Sequence, residues 1–237
     1  MGELIMKKLF AKIIASAAAV SIVTAAGTGM AVNAGGTYED ECVQMLNMIN
    51  EYRAENGVKP LKLYITACNM ANTRSAELEQ RFDHTRPNGT DCFTIFEENN
   101  INCGWVGENI AFGYGSVEAV MNAWMNSEGH RSNILDEDFE YIGIGIINDR
   151  YWTQLFLDSA LIVGEKGDVN GDGEINSVDA SNVLNYYAYQ ATYPQFVQLP
   201  SFITLADVDG DSYVNATDAS SILRYYAEKS TGGNPTF

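Results

Sequence analysis

The sequence predicts a layered α+β domain followed by a small all-α domain made of two loop-and-helix repeats. Three observations lead there. Helical patterns precede a terminal pair of alternating strands, the composition shifts around Gly164 to Gly167, and the segment after that shift repeats itself. A chain of 237 residues has room for two cores, and 46% hydrophobic with 19% charged residues is the composition of a folded protein.

At the start, Lys7, Lys8 and Lys12 precede an apolar run from Ile13 to Ala26 and small residues ending Val32-Asn33-Ala34. Residues 1–34 therefore read as a secretory signal peptide, and the run is shorter than the roughly 20 residues of a spanning helix. A secreted, extracellular chain with no membrane span after cleavage is expected. From Thr37, Cys42, Met45, Ile49 and Tyr52 recur at helical spacing, with Gly57 as the stop. Beyond Pro60 a second helix is expected to carry Cys68, Ala71, Ser75, Leu78 and Phe82 on one face, ending just before His84. Ser116 is a good N-cap for a third, which presents Val117, Val120, Met121 and Trp124 inward. Tyr141 to Ile147 and Tyr151 to Leu157 alternate as strands, joined by Asn148, Asp149 and Arg150. Gly143 and Gly145 share one strand face, so another element must approach that face closely.

The net charge of −17 disfavours nucleic acid and anionic membranes as partners and anticipates bound cations. Cys42, Cys68, Cys92 and Cys103 allow three connectivities. A Cys92–Cys103 bridge is preferred because it would close a short polar loop, leaving Cys42 and Cys68 paired or free. Both of the latter fall on apolar helix stripes, where a reduced cysteine is a small core residue.

Residues 168–188 and 207–227 align with twelve of 21 positions identical. Each repeat sets oxygen donors at loop positions 1, 3, 5 and 12: Asp168, Asn170, Asp172 and Asp179, then Asp207, Asp209, Asp211 and Asp218. The carbonyl at position 7 belongs to Glu174 or Tyr213. Such loops enclose a hard cation, and calcium is the natural occupant, giving two Ca²⁺. Position 6 is Gly173 in one loop and Ser212 in the other, where the turn favours positive φ, so the second site is expected to be the weaker.

This segment resembles type I dockerin modules over 168–228, with Asp in place of Glu at position 12 and no helix leading into the first loop. The resemblance implies a calcium-dependent module that binds a cohesin on a scaffolding protein, as in cellulosomes. Partner choice is then expected at positions 10 and 11, Ser177 and Val178 in one repeat, Ala216 and Thr217 in the other. A linker at 164–167 and a tail at 229–237 complete this half.

Both histidines lie in polar motifs: His84 in FDHTRPNGT and His130 in SEGHRSNIL, the latter with Glu128; Glu108 stands in GENIA. Two imidazoles and two carboxylates suffice for a divalent-metal site or for acid/base work, but their spacing does not show that they converge. As isolated residues, capping or surface roles account for them better. Together with NMINEYRAENGVKPLKL, EYIGIG and YWTQLF, however, these motifs resemble the CAP superfamily, or SCP-like domains, over 38–163. The resemblance implies a three-layer α/β/α sandwich whose cleft holds the tetrad His84, Glu108, Glu128 and His130. In several relatives the histidines bind zinc, which carries over to His84 and His130. The ligand of such a domain would be a wall polysaccharide, a peptide or a lipid. Three readings follow: a binding module; a metal-assisted hydrolase with Glu128 as general base on water that Glu108 orients; and glycoside hydrolysis by opposed Glu108 and Glu128 carboxylates.

Overall fold

A computed structural model describes residues 37–148 and 150–237; the expected signal peptide at 1–34 and Asp149 of the hairpin turn lie outside the described residues. Thr37 opens helix α1 (Tyr38–Glu55) with a capping box. Its hydroxyl accepts from the Asp40 amide, and the Asp40 carboxylate accepts from the Thr37 amide. The predicted stripe is the buried one, with Cys42, Met45 and Ile49 inward. Strand β1 (Lys62–Tyr64) runs directly into α2 (Ile65–Leu78).

Helix α2 is shorter than its apolar pattern predicts. It ends at Leu78 because Glu79, Gln80 and Arg81 are all exposed and give the next turn nothing to pack on. Phe82 therefore leaves the stripe; it is 53% exposed, with its ring 6.3 Å from that of Phe112. The chain continues through α3 (Thr94–Glu98), β2 (Val106–Phe112), α4 (Val117–Met125), α5 (Glu128–Leu135), β3 (Tyr141–Ile147) and β4 (Tyr151–Leu157). Ser116 caps α4 as expected, accepting from the Ala119 amide.

The five strands lie in the order β2-β4-β3-β1-β5, with β2, β4 and β3 antiparallel and β1 parallel to both of its neighbours. One face of the sheet buries Ile142, Ile144, Ile146, Trp152 and Phe156 against α1 and α4. The other receives α2. The result is a helix–sheet–helix sandwich of three layers.

Gly143 and Gly145 explain how closely α2 lies. A Cβ on either would sit 2.1 Å from a backbone oxygen of α2, that of Ala67 or of Ala71 respectively. Arg53, fully buried at the end of α1, ties down the opposite layer: its guanidinium donates to the carbonyls of Lys59, Ile134, Asp136 and Phe139.

The repeat forms α6 (Ser177–Thr192) and α8 (Ala216–Ser230), packed on each other, with β5 (Phe196–Val197) and α7 (Pro200–Ala206) between them. Asn176 and Asn215 cap the two exit helices in the same way, each in a capping box with the aspartate three residues on. Residues 164–167 separate two patterns of sequence, yet the described residues on both sides pack as one compact unit. Strand β5 pairs Phe196 with Leu63 and Val197 with Tyr64.

All four cysteines are free thiols, which corrects the preferred Cys92–Cys103 bridge. Cys92 is buried beside Glu108 and His84, whereas Cys103 packs, partly buried, against the cluster that includes Leu157 and Ile162. Their side chains serve different surroundings. Cys42 and Cys68 are buried core residues, and burial pushes the Cys68 thiol up to about 12.

Replacing Gly145 by alanine should destabilise the protein by about 3 kcal/mol, since backbone rather than a yielding side chain blocks the added methyl. Chemical denaturation of Gly145→Ala beside the exposed-site control Gly115→Ala, whose Cβ meets nothing within 4 Å, measures it.

Candidate functional site

Glu108 is the third residue of β2, opposite Leu155 on β4, and so faces the α2 layer. Its carboxylate is 1% exposed and fully engaged. Arg74, one turn beyond Ala71 on α2, donates from Nε to Oε2 at 2.8 Å and from a terminal nitrogen to Oε1 at 3.3 Å. His84 Nδ1 lies 2.7 Å from Oε1.

Arg74 also builds the loop that carries His84. Nη1 donates to Glu77 Oε2 at 2.6 Å, and Nη2, which also reaches Glu108, donates to the Asp83 carbonyl at 3.1 Å. Arg86 locks the far end of that loop with bonds to Glu77, Glu98 and Thr94. The buried ion pair thus fixes where the imidazole stands, and His84 remains 60% exposed at its side chain.

From the other layer, α5 brings His130. Asn109 donates to the His130 carbonyl at 3.0 Å and to Gln154, while Asn133 donates to Asn109 and to the Glu108 carbonyl. The edge strand β2 thus has His84 on the α2 side and His130 on the α5 side, near enough for the charge of one to act on the other. Their charges interact. The hydrogen bond to Glu108 holds the His84 pKa above its ordinary 6.5, while desolvation, then the neighbouring His84 charge, lowers that of His130.

Of the four predicted residues, the structure joins His84 directly to Glu108 and sets His130 close by. Glu128 is exposed in the first turn of α5, and among the described residues no hydrogen bond or ion pair links it to the other three. Two participants were not foreseen. Arg74 is a charged residue on a buried stripe, and its spacing of three from Glu77 was the available signal. Cys92 has ligand atoms of His84 and Glu108 within 4.8 Å, and burial and then the Glu108 charge raise its pKa far above a thiol's usual value.

The two loops of the repeat have matching internal wiring. In the first, Asp168 accepts from the Asp172 and Gly173 amides, and Asp172 from Glu174; in the second, Asp207 accepts from Gly210 and Ser212, and Asp211 from Tyr213. Buried Asp179 and Asp218 each span their loop, one oxygen on the amides after position 1 and the other on the helix N-cap. Oxygens of Asp207, Asp209 and Asp211 lie within 4.8 Å of one another. Three like charges so close repel unless a cation joins them, and the donor set is all oxygen, so the residues fit calcium. Burial raises Asp179 to about 6 against its backbone donors, a cost that a cation would offset. Gly173 has φ +84 and Ser212 φ +71, the positive value expected at position 6 in both loops. Val178, Ala216 and Thr217 are exposed and Ser177 partly so.

Residues 46–157 match the CAP family, the cysteine-rich secretory protein family. Residues 166–227 match the dockerin type I domain, so the chain carries a CAP domain followed by a type I dockerin. It is 36% identical over 133 residues to the uncharacterized protein YkwD of Bacillus subtilis, covering 55% of this chain and 51% of that protein. It is 29% identical over 116 residues to the uncharacterized membrane protein YlbC of the same organism, covering 48% and 33%. The chain thus spans about half the length of the first of these relatives and a third of the second. Among solved structures, an extracellular protein containing an SCP domain from Bacillus anthracis is similar at 26% identity and TM-score 0.47, over 49% of this chain and 39% of that one. An outer surface protein from Borrelia burgdorferi is similar at 24% identity and TM-score 0.45, over 52% and 95%. Among the described residues no helix is long and apolar enough to cross a membrane.

Arg74→Ala should cost about 3 to 5 kcal/mol, because it leaves the Glu108 carboxylate buried without its partner. The imidazole supplies a second check. A raised folded pKa means that the His84–Glu108 attraction stabilises fully below 6.5 and is lost as pH rises through the higher folded value. Proton NMR should therefore show His84 titrating above 6.5 and His130 below it, with His84 falling toward the ordinary value in Glu108→Gln.

Proposed function

We propose that this is a secreted component of a cellulosome-type assembly, in which the dockerin binds a scaffolding cohesin in a calcium-dependent way. It carries a CAP domain that acts as a ligand-binding or wall-associated module for a wall polysaccharide, a peptide or a lipid. The observation that carries the reading is the doubled aspartate loop, with Asp207, Asp209 and Asp211 gathered within 4.8 Å and the exposed residues Val178, Ala216 and Thr217 at the starts of the exit helices. The expected signal peptide and the acidity of the chain accord with an extracellular calcium protein.

A cohesin pull-down tests it: capture in millimolar calcium, release by chelator, and loss of capture on joint replacement of Ala216, Thr217, Ser177 and Val178 are expected. Capture that survives chelation would refute it. Calorimetric titration should resolve two unequal calcium sites. Ser212→Gly should tighten the weaker one by roughly 1 kcal/mol, about fivefold, by removing the side chain from a left-handed conformation.

One observation favours a second reading, a metal-assisted hydrolase or peptidase. The Glu108 carboxylate at His84 Nδ1 is the arrangement that orients an imidazole whose other nitrogen binds a metal. Zinc held by His84 and His130 would supply a Lewis acid there. Glu108 then holds the ring instead of orienting water, and Glu128, exposed on α5, is left as the residue free to take a proton. The opposed-carboxylate reading loses support, since both Glu108 oxygens are committed to Arg74 and His84. Turnover of peptide and polysaccharide substrates, measured with Glu128→Gln beside the wild type after metal loading, separates the two: ligand binding kept with no turnover in either protein supports the module. Peptide turnover that Glu128→Gln abolishes supports the hydrolase.

A further inference from the structure

Helix α6 and strand β5 belong to the dockerin by sequence, yet much of what they touch belongs to the CAP domain. Phe196 is 1% exposed and sits in the same cluster as Cys42, Leu63, Ile142 and Ile144. Tyr186, Tyr189 and Tyr193 pack against that cluster, with the Tyr189 ring 4.8 Å and the Tyr193 ring 6.1 Å from Phe196. Hydrogen bonds seal the rim. Tyr193 and Thr37 are joined at 3.1 Å, and Tyr189 donates to Glu39 at 3.4 Å.

The second cluster is also shared. Tyr64, Phe96, Leu157 and Ile162 meet Val183, Leu199, Phe202 and Ile222 without a break. The first calcium loop rests on the CAP domain as well: Asn100 donates to the Asn170 carbonyl at 3.4 Å, and a Cβ at Gly171 would come within 3.0 Å of Ile162. Domains joined by a tether have small, polar contacts and melt independently. Here each half supplies side chains that complete the other's interior, and β1 has strand partners from both.

We propose that calcium loading of the dockerin stabilises the CAP domain itself, with β5 as the element that transmits it. The inference rests on the calcium reading of the two loops. A ligand that binds only the folded state stabilises everything that unfolds with its site. Unfolding the dockerin would pull Phe196 out of the CAP core and strip β1 of one neighbour, so the two transitions merge into one. The His84–Glu108 site hangs from α2, which follows β1 without an intervening residue. Calcium bound at a distance therefore holds that site in place.

The chain carries its own reporter, because Trp105, Trp124 and Trp152 all lie in the CAP domain and none in the dockerin. Thermal unfolding of the full chain is followed by tryptophan fluorescence with calcium at about a hundredfold over its Kd and again with chelator, while calorimetry measures calcium binding separately. The expected result is a midpoint raised by about 5 to 10 °C in calcium. The shift should persist in Phe196→Leu and vanish in Phe196→Ser, which still binds calcium. Calcium binding with an unmoved wild-type midpoint overturns this proposal and leaves the calcium reading intact. A chain that binds no calcium overturns both. A Phe196→Ser protein that keeps the full shift removes β5 as the transmitting element, and where that variant does not fold the wild-type comparison decides.

Discussion

The approach of α2 to β3 sets the geometry on which the rest of the fold depends. With no side chain at Gly143 or Gly145, the helix backbone rests almost directly on the strand. That depth sinks Arg74, one turn further along, to the level of β2, where its fork closes on Glu108. Were the helix raised by the thickness of a methyl group, the guanidinium would leave the carboxylate and the loop bearing His84 would lose its anchor. A packing constraint in the sheet thereby determines an electrostatic one at its edge.

The chain handles its negative charge in two ways. In the CAP domain the acids at the site are met by arginines: buried Glu108 pairs with Arg74, and part-buried Glu77 is held by Arg74 and Arg86 together. Such pairs repay their desolvation only when the hydrogen bonding is complete, as it is here. The dockerin loops contain no such internal cation. Their aspartates are held by backbone amides, which fix direction without neutralising charge.

Much of this could be read in advance where periodicity was clean. Helices α1 and α4 and the β3–β4 hairpin stand where their patterns place them, and the two glycines correctly announced a close neighbour. Strand β2 escaped because Glu108 and Asn109, both buried, interrupt the apolar alternation of VGENIAF. Phe82 misled in the opposite sense, an aromatic at helical spacing that meets Phe112 at the surface and stays out of the core. Arg74 was hidden by the usual fate of charge, which is to be solvated. The meeting of His84 with Glu108 depends on the α2 layer closing on β2, and no spacing along the chain encodes that. The dockerin repeat was legible because each of its loops is local, contained within twelve consecutive residues.

Strand β5 is only two residues long, and it is the outermost strand on the β1 side of the sheet. An open β1 would present unpaired amides and carbonyls to any other chain with a free edge, an invitation to sheet-to-sheet aggregation. Two residues cover Leu63 and Tyr64 and the chain then turns away into Pro200 and α7, so the edge left to another molecule is only two residues long. The dockerin thus also acts as an end-stop for its neighbour, a form of protection against self-association that costs the fold a single short strand.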